Sequence, residues 1–163
     1  GLAAAVGAGF GDKPVLCLNC DGGMMMNLQE LQTIKTHNLP VKIIIFNNDG
    51  YLMIKHTQKM LFQGHKVCVD KNTGVSLPDY KKVATAFGFP YYTEEQMEDF
   101  INNPGYGIME IFMDAEQEFI PKVRGMKQQD GTIKSGLLEE MSPLLPLSKI
   151  EEAMITKINE RSK

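Results

Sequence analysis

The sequence contains no tryptophan, three cysteines and three histidines, and no apolar run that approaches the roughly 20 residues needed to span a bilayer. Three thiols in 163 residues cannot build the disulfide framework of a small secreted domain, so a reducing cytoplasm is the expected compartment. The basic start and cleavage pattern of a signal peptide are also missing from these residues. A cationic surplus is lacking as well. Seventeen Lys and Arg against 20 Asp and Glu give a net charge of -3, with the lysines scattered and not gathered on one stripe. Neither nucleic acid nor a membrane is therefore expected as a partner.

What is present is ordinary globular composition, 43% apolar and 23% charged, in a chain long enough for one domain with a sizeable core. The stretch that organises it begins CDGGMMMNLQELQTI at Cys20 and ends VKIIIFNNDGYLMI at Ile54. Val15–Leu18 and Val41–Phe46 are short, β-branched runs bounded by turn residues, which predicts two buried parallel strands. The segment between them, about Asn27 to His37, carries Leu28, Leu31 and Ile34 at helical spacing behind Asn27 as N-cap. A right-handed crossover of this kind puts the ends of both strands on one sheet edge, so Asp21 and the Asn47–Gly50 turn should converge there.

That edge predicts a chemistry. Asp21 offers a hard carboxylate, Asn48 an amide oxygen, and the Gly50 turn a backbone carbonyl, together an incomplete oxygen shell for a small divalent cation. Phosphate oxygens and water would complete it. Gly22 and Gly23 allow backbone to approach a phosphate, and the following helix begins nearby with unpaired N–H groups. A second class also fits a carboxylate at a strand end: a non-catalytic phosphate-binding or phosphoacceptor α/β module using Asp21, which would want further acids at neighbouring strand ends and a lysine on a later strand.

Asp21-Gly22, a helix, a strand and then Asn47-Asn48 resemble the two-part motif of thiamine-diphosphate enzymes, which opens Gly-Asp-Gly and closes Asn-Asn at this spacing. Within that superfamily, MNLQELQTI, LPVKIIIFNNDGY and LLEEMSPLLP look most like acetolactate synthase and its relatives. The resemblance implies a cofactor, thiamine diphosphate, held through Mg2+ or Ca2+ by Asp21, Asn48 and the Gly50 carbonyl. Gly22 and Gly23 would lie beside the diphosphate, and Met53, with Ile54, would face the thiazolium ring. It implies a 2-keto acid substrate, decarboxylated and joined to a second carbonyl. Three positions depart from the family pattern: Cys20 stands for the first glycine, Gly23 for a frequent serine, and Thr57 for a pocket tryptophan.

The likeness further implies a C-terminal fragment of a homo-oligomeric enzyme, lacking pyrimidine-binding and middle domains. The glutamate that assists proton removal from the cofactor belongs to the pyrimidine-binding domain, so no catalytic residue is expected in this chain and the isolated chain is expected to be inactive.

Around this unit the pattern alternates. An alanine-rich helix ends at Gly7-x-Gly9-x-Gly11, whose context is wrong for a dinucleotide fingerprint because the order is reversed, helix before and strand after, and the last spacing differs. Tyr51 to about Met60 reads as helix, Phe62 to Leu77 as a long loop, either a lid over substrate or a connector, and Lys55, His56 and His65 as solvated groups without a role. Met24–Met26 serve equally as soft pocket wall or filler. A helix from Pro78-Asp79 to Phe87 stopped by Gly88, a strand at Tyr91–Tyr92, a helix from Glu94 to about Asn102, and a strand Gly107–Met113 interrupted by Glu110 follow. The expected fold is α/β, a doubly wound, mostly parallel sheet with helices on both faces over residues 1–113, plus an irregular C-terminal arm, 114–163, closed by a helix from Ser148 to about Glu160 with Ser148 as its cap.

Cys17 and Cys20 form a CxxC, but on a strand residues three apart point to opposite faces. The pair should neither bridge nor bind zinc. Intact mass under non-reducing conditions, with metal analysis, should show both thiols free; a two-hydrogen loss mapped to this pair would refute the strand assignment.

Overall fold

The computed structural model describes residues 1–158, apart from Arg124, Glu140 and Leu144. It comprises two compact units, Gly1–Gln117 and Glu118–Lys163. In the first, α1 (Leu2–Gly9) leads to β1 (Val15–Cys20), a short α2 (Asp21–Met24), α3 (Glu30–Thr36) and β2 (Val41–Asn47). Then come α4 (Leu52–Leu61), α5 (Tyr80–Phe87), β3 (Tyr91–Thr93), a 3-10 turn, α6 (Met97–Asn102) and β4 (Gly107–Phe112).

The four strands form one parallel sheet in the order β1-β2-β4-β3. Parallel strands need both faces covered, and the burial of β2 follows that rule. Val41, Ile43 and Ile45 are fully buried on one face, packed with Leu2 and Val6 of α1, Leu31 and Ile34 of α3, and Tyr80 and Ala84 of α5. Ile44 points to the other face, where it meets Met109 of β4 and Phe100 of α6. Each fully buried Ile contributes about 1.5–3 kcal/mol relative to exposure. The strand order explains why α6 is on the second face: β3 lies outside β4, so the β3-to-β4 crossover runs backwards across the sheet and a right-handed connection must use the opposite side. The doubly wound α/β architecture expected from the alternating pattern is thus observed.

Several boundaries differ. β1 continues to Cys20, because its ladder with β2 runs on to the Cys20–Phe46 pair. α3 begins at Glu30 and not at Asn27; Asn27 contributes its main-chain carbonyl to the Glu30 N–H, 3.0 Å, and makes no side-chain cap. α5 is as expected, with Asp79 accepting from the Lys82 N–H at 3.1 Å and Gly88 ending it at φ +71°. Cys17 is buried, and burial raises its thiol pKa, while Cys20 is exposed and all three thiols are free. On the α6 face, Leu16 and Leu18 of β1 are 57% and 60% exposed.

Asp114–Gln117 remains with the first unit, where the Lys66 ammonium reaches Glu116 at 2.9 Å and the His56 ring lies 2.9 Å from the Gln117 carbonyl. The second unit holds two antiparallel ribbons, β5 (Lys122–Val123) with β8 (Met141–Ser142) and β6 (Gly125–Lys127) with β7 (Ile133–Ser135). Its helix, α7, spans Leu147–Ala153 behind Pro146, so Ser148 lies inside it and does not cap it. The expected extension beyond residue 158 lies outside the described residues. No described helix is long and apolar enough to cross a membrane.

Candidate functional site

The C-terminal ends of β1 and β2 are adjacent in register, and the residues immediately after them meet. Asp21 is fully buried and its carboxylate grips backbone from both segments. Oδ1 accepts the Gly22 N–H at 2.8 Å, while Oδ2 accepts the Asn48 N–H at 2.9 Å and the Gly50 N–H at 3.1 Å. A carboxylate has about four lone-pair positions, so capacity remains on Oδ1.

The two asparagines divide the work. Asn47 is structural: its Oδ1 accepts the Asp49 N–H at 2.9 Å and its amide donates to Glu110 Oε1 at 2.5 Å. Asn48 is 7% exposed, and its Oδ1 is a buried side-chain atom without a hydrogen-bond partner among the described residues. An unpaired buried acceptor costs about 1–3 kcal/mol, and this one belongs to the residue whose N–H the Asp21 carboxylate accepts, which leaves it available to a ligand. The donor set is hard oxygen, as a magnesium or calcium ion requires. The residues present therefore fit a divalent cation, with Asp21, Asn48 and Gly50 as the chain's own contribution. The described residues contain no cluster of three or more His, Cys, Asp or Glu that could hold a metal.

The glycines are needed here for packing. A Cβ on Gly22 would lie 2.5 Å from the Tyr51 ring, and one on Gly23 2.3 Å from Asn19 Oδ1. Gly50 adopts φ +157° with the Val69 carbonyl 2.3 Å from any Cβ. The segment after Asp21 is the four-residue α2, and not the start of the longer helix, so the expected N–H groups of α3 lie further along the chain. Met24 is fully buried filler, whereas Met25 and Met26 are 43% and 66% exposed. Met53 and Ile54 of α4 are 63% and 45% exposed, and thus are not core.

Three features escaped the sequence reading. Tyr80 of α5 donates its hydroxyl to the Asp21 carbonyl, fixing the far helix to the strand end. Tyr91 donates to Glu110 Oε2 at 2.6 Å, so Glu110, buried at the centre of β4, is bonded on both oxygens. A charge interrupting an apolar strand was the available signal for this network. These groups line an open pocket of about 260 Å3 together with Asp79, Lys81 and Phe112. The third feature corrects an expectation: Lys55 is not a solvated group but is 4% exposed and paired with Asp70 at 3.5 Å.

Comparison with known proteins places this geometry. The family described as thiamine pyrophosphate enzyme, C-terminal TPP binding domain, matches residues 1–111. The chain is 33% identical over 132 residues to the acetolactate synthase isozyme 1 large subunit of Escherichia coli K12, covering 76% of this chain and 23% of that protein. It is 30% identical over 151 residues to the isozyme 2 large subunit of the same organism, covering 87% and 26%. A probable acetolactate synthase large subunit of Methanococcus aeolicus is 41% identical over 90 residues, covering 54% and 14%. The chain spans about a quarter of the length of the two Escherichia coli relatives, or less.

The tyrosines set a pH dependence. Burial, with Asp21 and then Glu110 beyond it, raises the Tyr80 phenol well above its ordinary value. The unfolded chain loses this proton near pH 10 while the folded chain keeps it, so stability is fully present below about pH 10 and falls as pH rises further. Chemical denaturation from pH 8 to 11.5 should show that fall, and Tyr80→Phe should be about 1 kcal/mol less stable at pH 8 but flatter above pH 10. An unchanged alkaline slope in the variant would contradict the burial of this hydroxyl.

Proposed function

The chain belongs to the C-terminal TPP-binding domain family of thiamine pyrophosphate enzymes, and on that premise we propose that it is the diphosphate- and cation-holding part of an acetolactate-synthase-like enzyme acting on 2-keto acids. The observation that carries the proposal is the buried, unpartnered Asn48 Oδ1 on a residue whose N–H is one of the three that fix the Asp21 carboxylate. Asp21, Asn48 and the Gly50 carbonyl would hold Mg2+ or Ca2+, whose charge would offset that of a bound diphosphate. Thiamine diphosphate, when bound, supplies the electron sink for decarboxylating the keto acid and joining its carbon unit to a second carbonyl.

The chain's own residues bind and orient. Gly22 and Gly23 keep the turn after β1 narrow, and Met53, exposed on α4, is the side chain offered to the cofactor ring and substrate. Thr57, whose hydroxyl donates to the Met53 carbonyl at 3.1 Å, occupies the place of a tryptophan, so this pocket accepts a differently shaped substrate from that of the biosynthetic synthases. Pyrimidine-binding and middle domains, in a cytoplasmic homo-oligomer, complete the enzyme. The phosphoacceptor reading wants further acids beside Asp21, and among the described residues no group of three or more His, Cys, Asp or Glu comes together to hold a metal ion.

Calorimetric titration with thiamine diphosphate tests this. Binding should require magnesium, and Asp21→Ala should weaken it far more than Asn48→Ala, by upwards of about tenfold, or 1.4 kcal/mol. The carboxylate supplies both a full charge to the cation and the acceptor that shapes its turn. Equal affinity with chelator present, or an unaffected Asp21→Ala, would reject the site. The loaded chain by itself should decarboxylate pyruvate no faster than a cofactor-only blank, since the family resemblance assigns the glutamate for the proton transfer to the pyrimidine-binding domain. Turnover above the blank that disappears in Asp21→Ala would overturn that part.

A further inference from the structure

The long segment between α4 and α5 lacks regular structure but is closely bonded to itself and to α4. The Thr73 hydroxyl is the hub: it accepts the N–H groups of Val69 and Asp70, both at 3.0 Å, and donates to Asp70 Oδ1 at 3.0 Å. Main-chain bonds from Cys68 to Thr73 and from Val75 to Asp70, each 2.9 Å, close the knot. One side of it meets the Asn48–Gly50 turn. The Val69 carbonyl accepts the Tyr51 N–H at 2.8 Å and abuts Gly50, whose lack of a Cβ allows the approach.

What holds the knot there is an ion pair between the buried Lys55 and the half-buried Asp70. Lys55, one turn into α4, reaches Asp70 Oδ2 at 3.5 Å and donates to the Ala115 carbonyl at 3.4 Å, beyond the end of β4. Its side chain is 5% exposed and that of Asp70 15%. A lysine withdrawn this far from water needs a fixed partner, and truncating one member of such a pair leaves the other buried and unpaired. Partial desolvation pushes the Asp70 carboxyl up, but the Thr73 hydroxyl and the Lys55 ammonium outweigh it and the net shift is downward.

We propose that Lys55 and Asp70 form a clasp that positions the cation-binding turn from behind, by pressing the Val69 carbonyl onto Tyr51 and Gly50 while Asp21 grips Asn48 and Gly50 from the front. The segment is then a backing for the site, and neither a lid over substrate nor a loose connector. Lys55 acts as a positioning residue through Val69 and makes no contact with the cation. The part of the inference that concerns cofactor affinity rests on the function proposed above; the part that concerns the turn does not.

The two parts are separable by experiment on the full 163-residue chain. Without cofactor, hydrogen exchange should show the Tyr51 amide protected in the wild type and at least about tenfold less so in Lys55→Met and Asp70→Asn, with β2 amides unchanged. Lys55→Arg, which keeps charge and reach, should restore protection. With magnesium and thiamine diphosphate, calorimetry should give roughly tenfold weaker binding for Lys55→Met, recovery in Lys55→Arg, and no further loss in the Lys55→Met/Asp70→Asn pair. Should Lys55→Met fail to fold, Thr73→Val unties the knot without emptying volume and is read in the same two ways. Unchanged Tyr51 protection in the variants overturns the clasp. Reduced protection with unchanged cofactor affinity overturns its role at the site. A wild type that binds no thiamine diphosphate rejects the proposed function, while exchange still decides the clasp.

Discussion

One carboxylate holds the site together. Asp21 accepts three backbone N–H groups, one from its own turn and two from the turn after the neighbouring strand, at 2.8 to 3.1 Å in a fully buried position. Hydrogen bonds to an ionised acceptor are about twice as strong as neutral ones, and low local polarity strengthens them further. Their geometric consequence matters more than their sum. The Asn48 and Gly50 N–H groups are directed at Asp21, and the buried Asn48 Oδ1 has no hydrogen-bond partner among the described residues.

The sheet is what permits this grip. A parallel ladder with Val15 opposite Val41 and Cys20 opposite Phe46 brings two turns, 27 residues apart in sequence, within hydrogen-bond distance at one edge. Fully buried Ile43 and Ile45 on one face, and Ile44 against Phe100 on the other, fix that register, since a shift by one residue would invert the faces. Asn47 and Glu110 then tie β2 to β4, and Tyr80 ties α5 to the end of β1. The proposed site thus rests on residues outside it.

Much of this was legible in the sequence. The βαβ unit, the convergence of Asp21 with the Asn48 turn and the alternating helices are written in periodicity and turn residues, which are local signals. The start of α3 was misplaced because Asn27 is a good cap by residue type, and only the tight turn made by the preceding methionines shows that its side chain is not used. Lys55 was misread for a different reason. Its burial comes from a partner 15 residues away in a segment without periodicity and from a carbonyl 60 residues away, neither of which leaves a trace in the local pattern. Gly22 and Gly23 stand out in the sequence as residues that let backbone approach a phosphate, whereas the neighbours that crowd them in the fold, Tyr51 and Asn19, are tertiary facts.

The most direct measurement of the central claim is anomalous diffraction from crystals grown with Mn2+ in place of magnesium, in the presence of thiamine diphosphate. The account predicts a peak within coordination distance of the Asp21 carboxylate, Asn48 Oδ1 and the Gly50 carbonyl, with diphosphate oxygens completing the shell. A peak coordinated elsewhere, with Asn48 Oδ1 still bare, would contradict it.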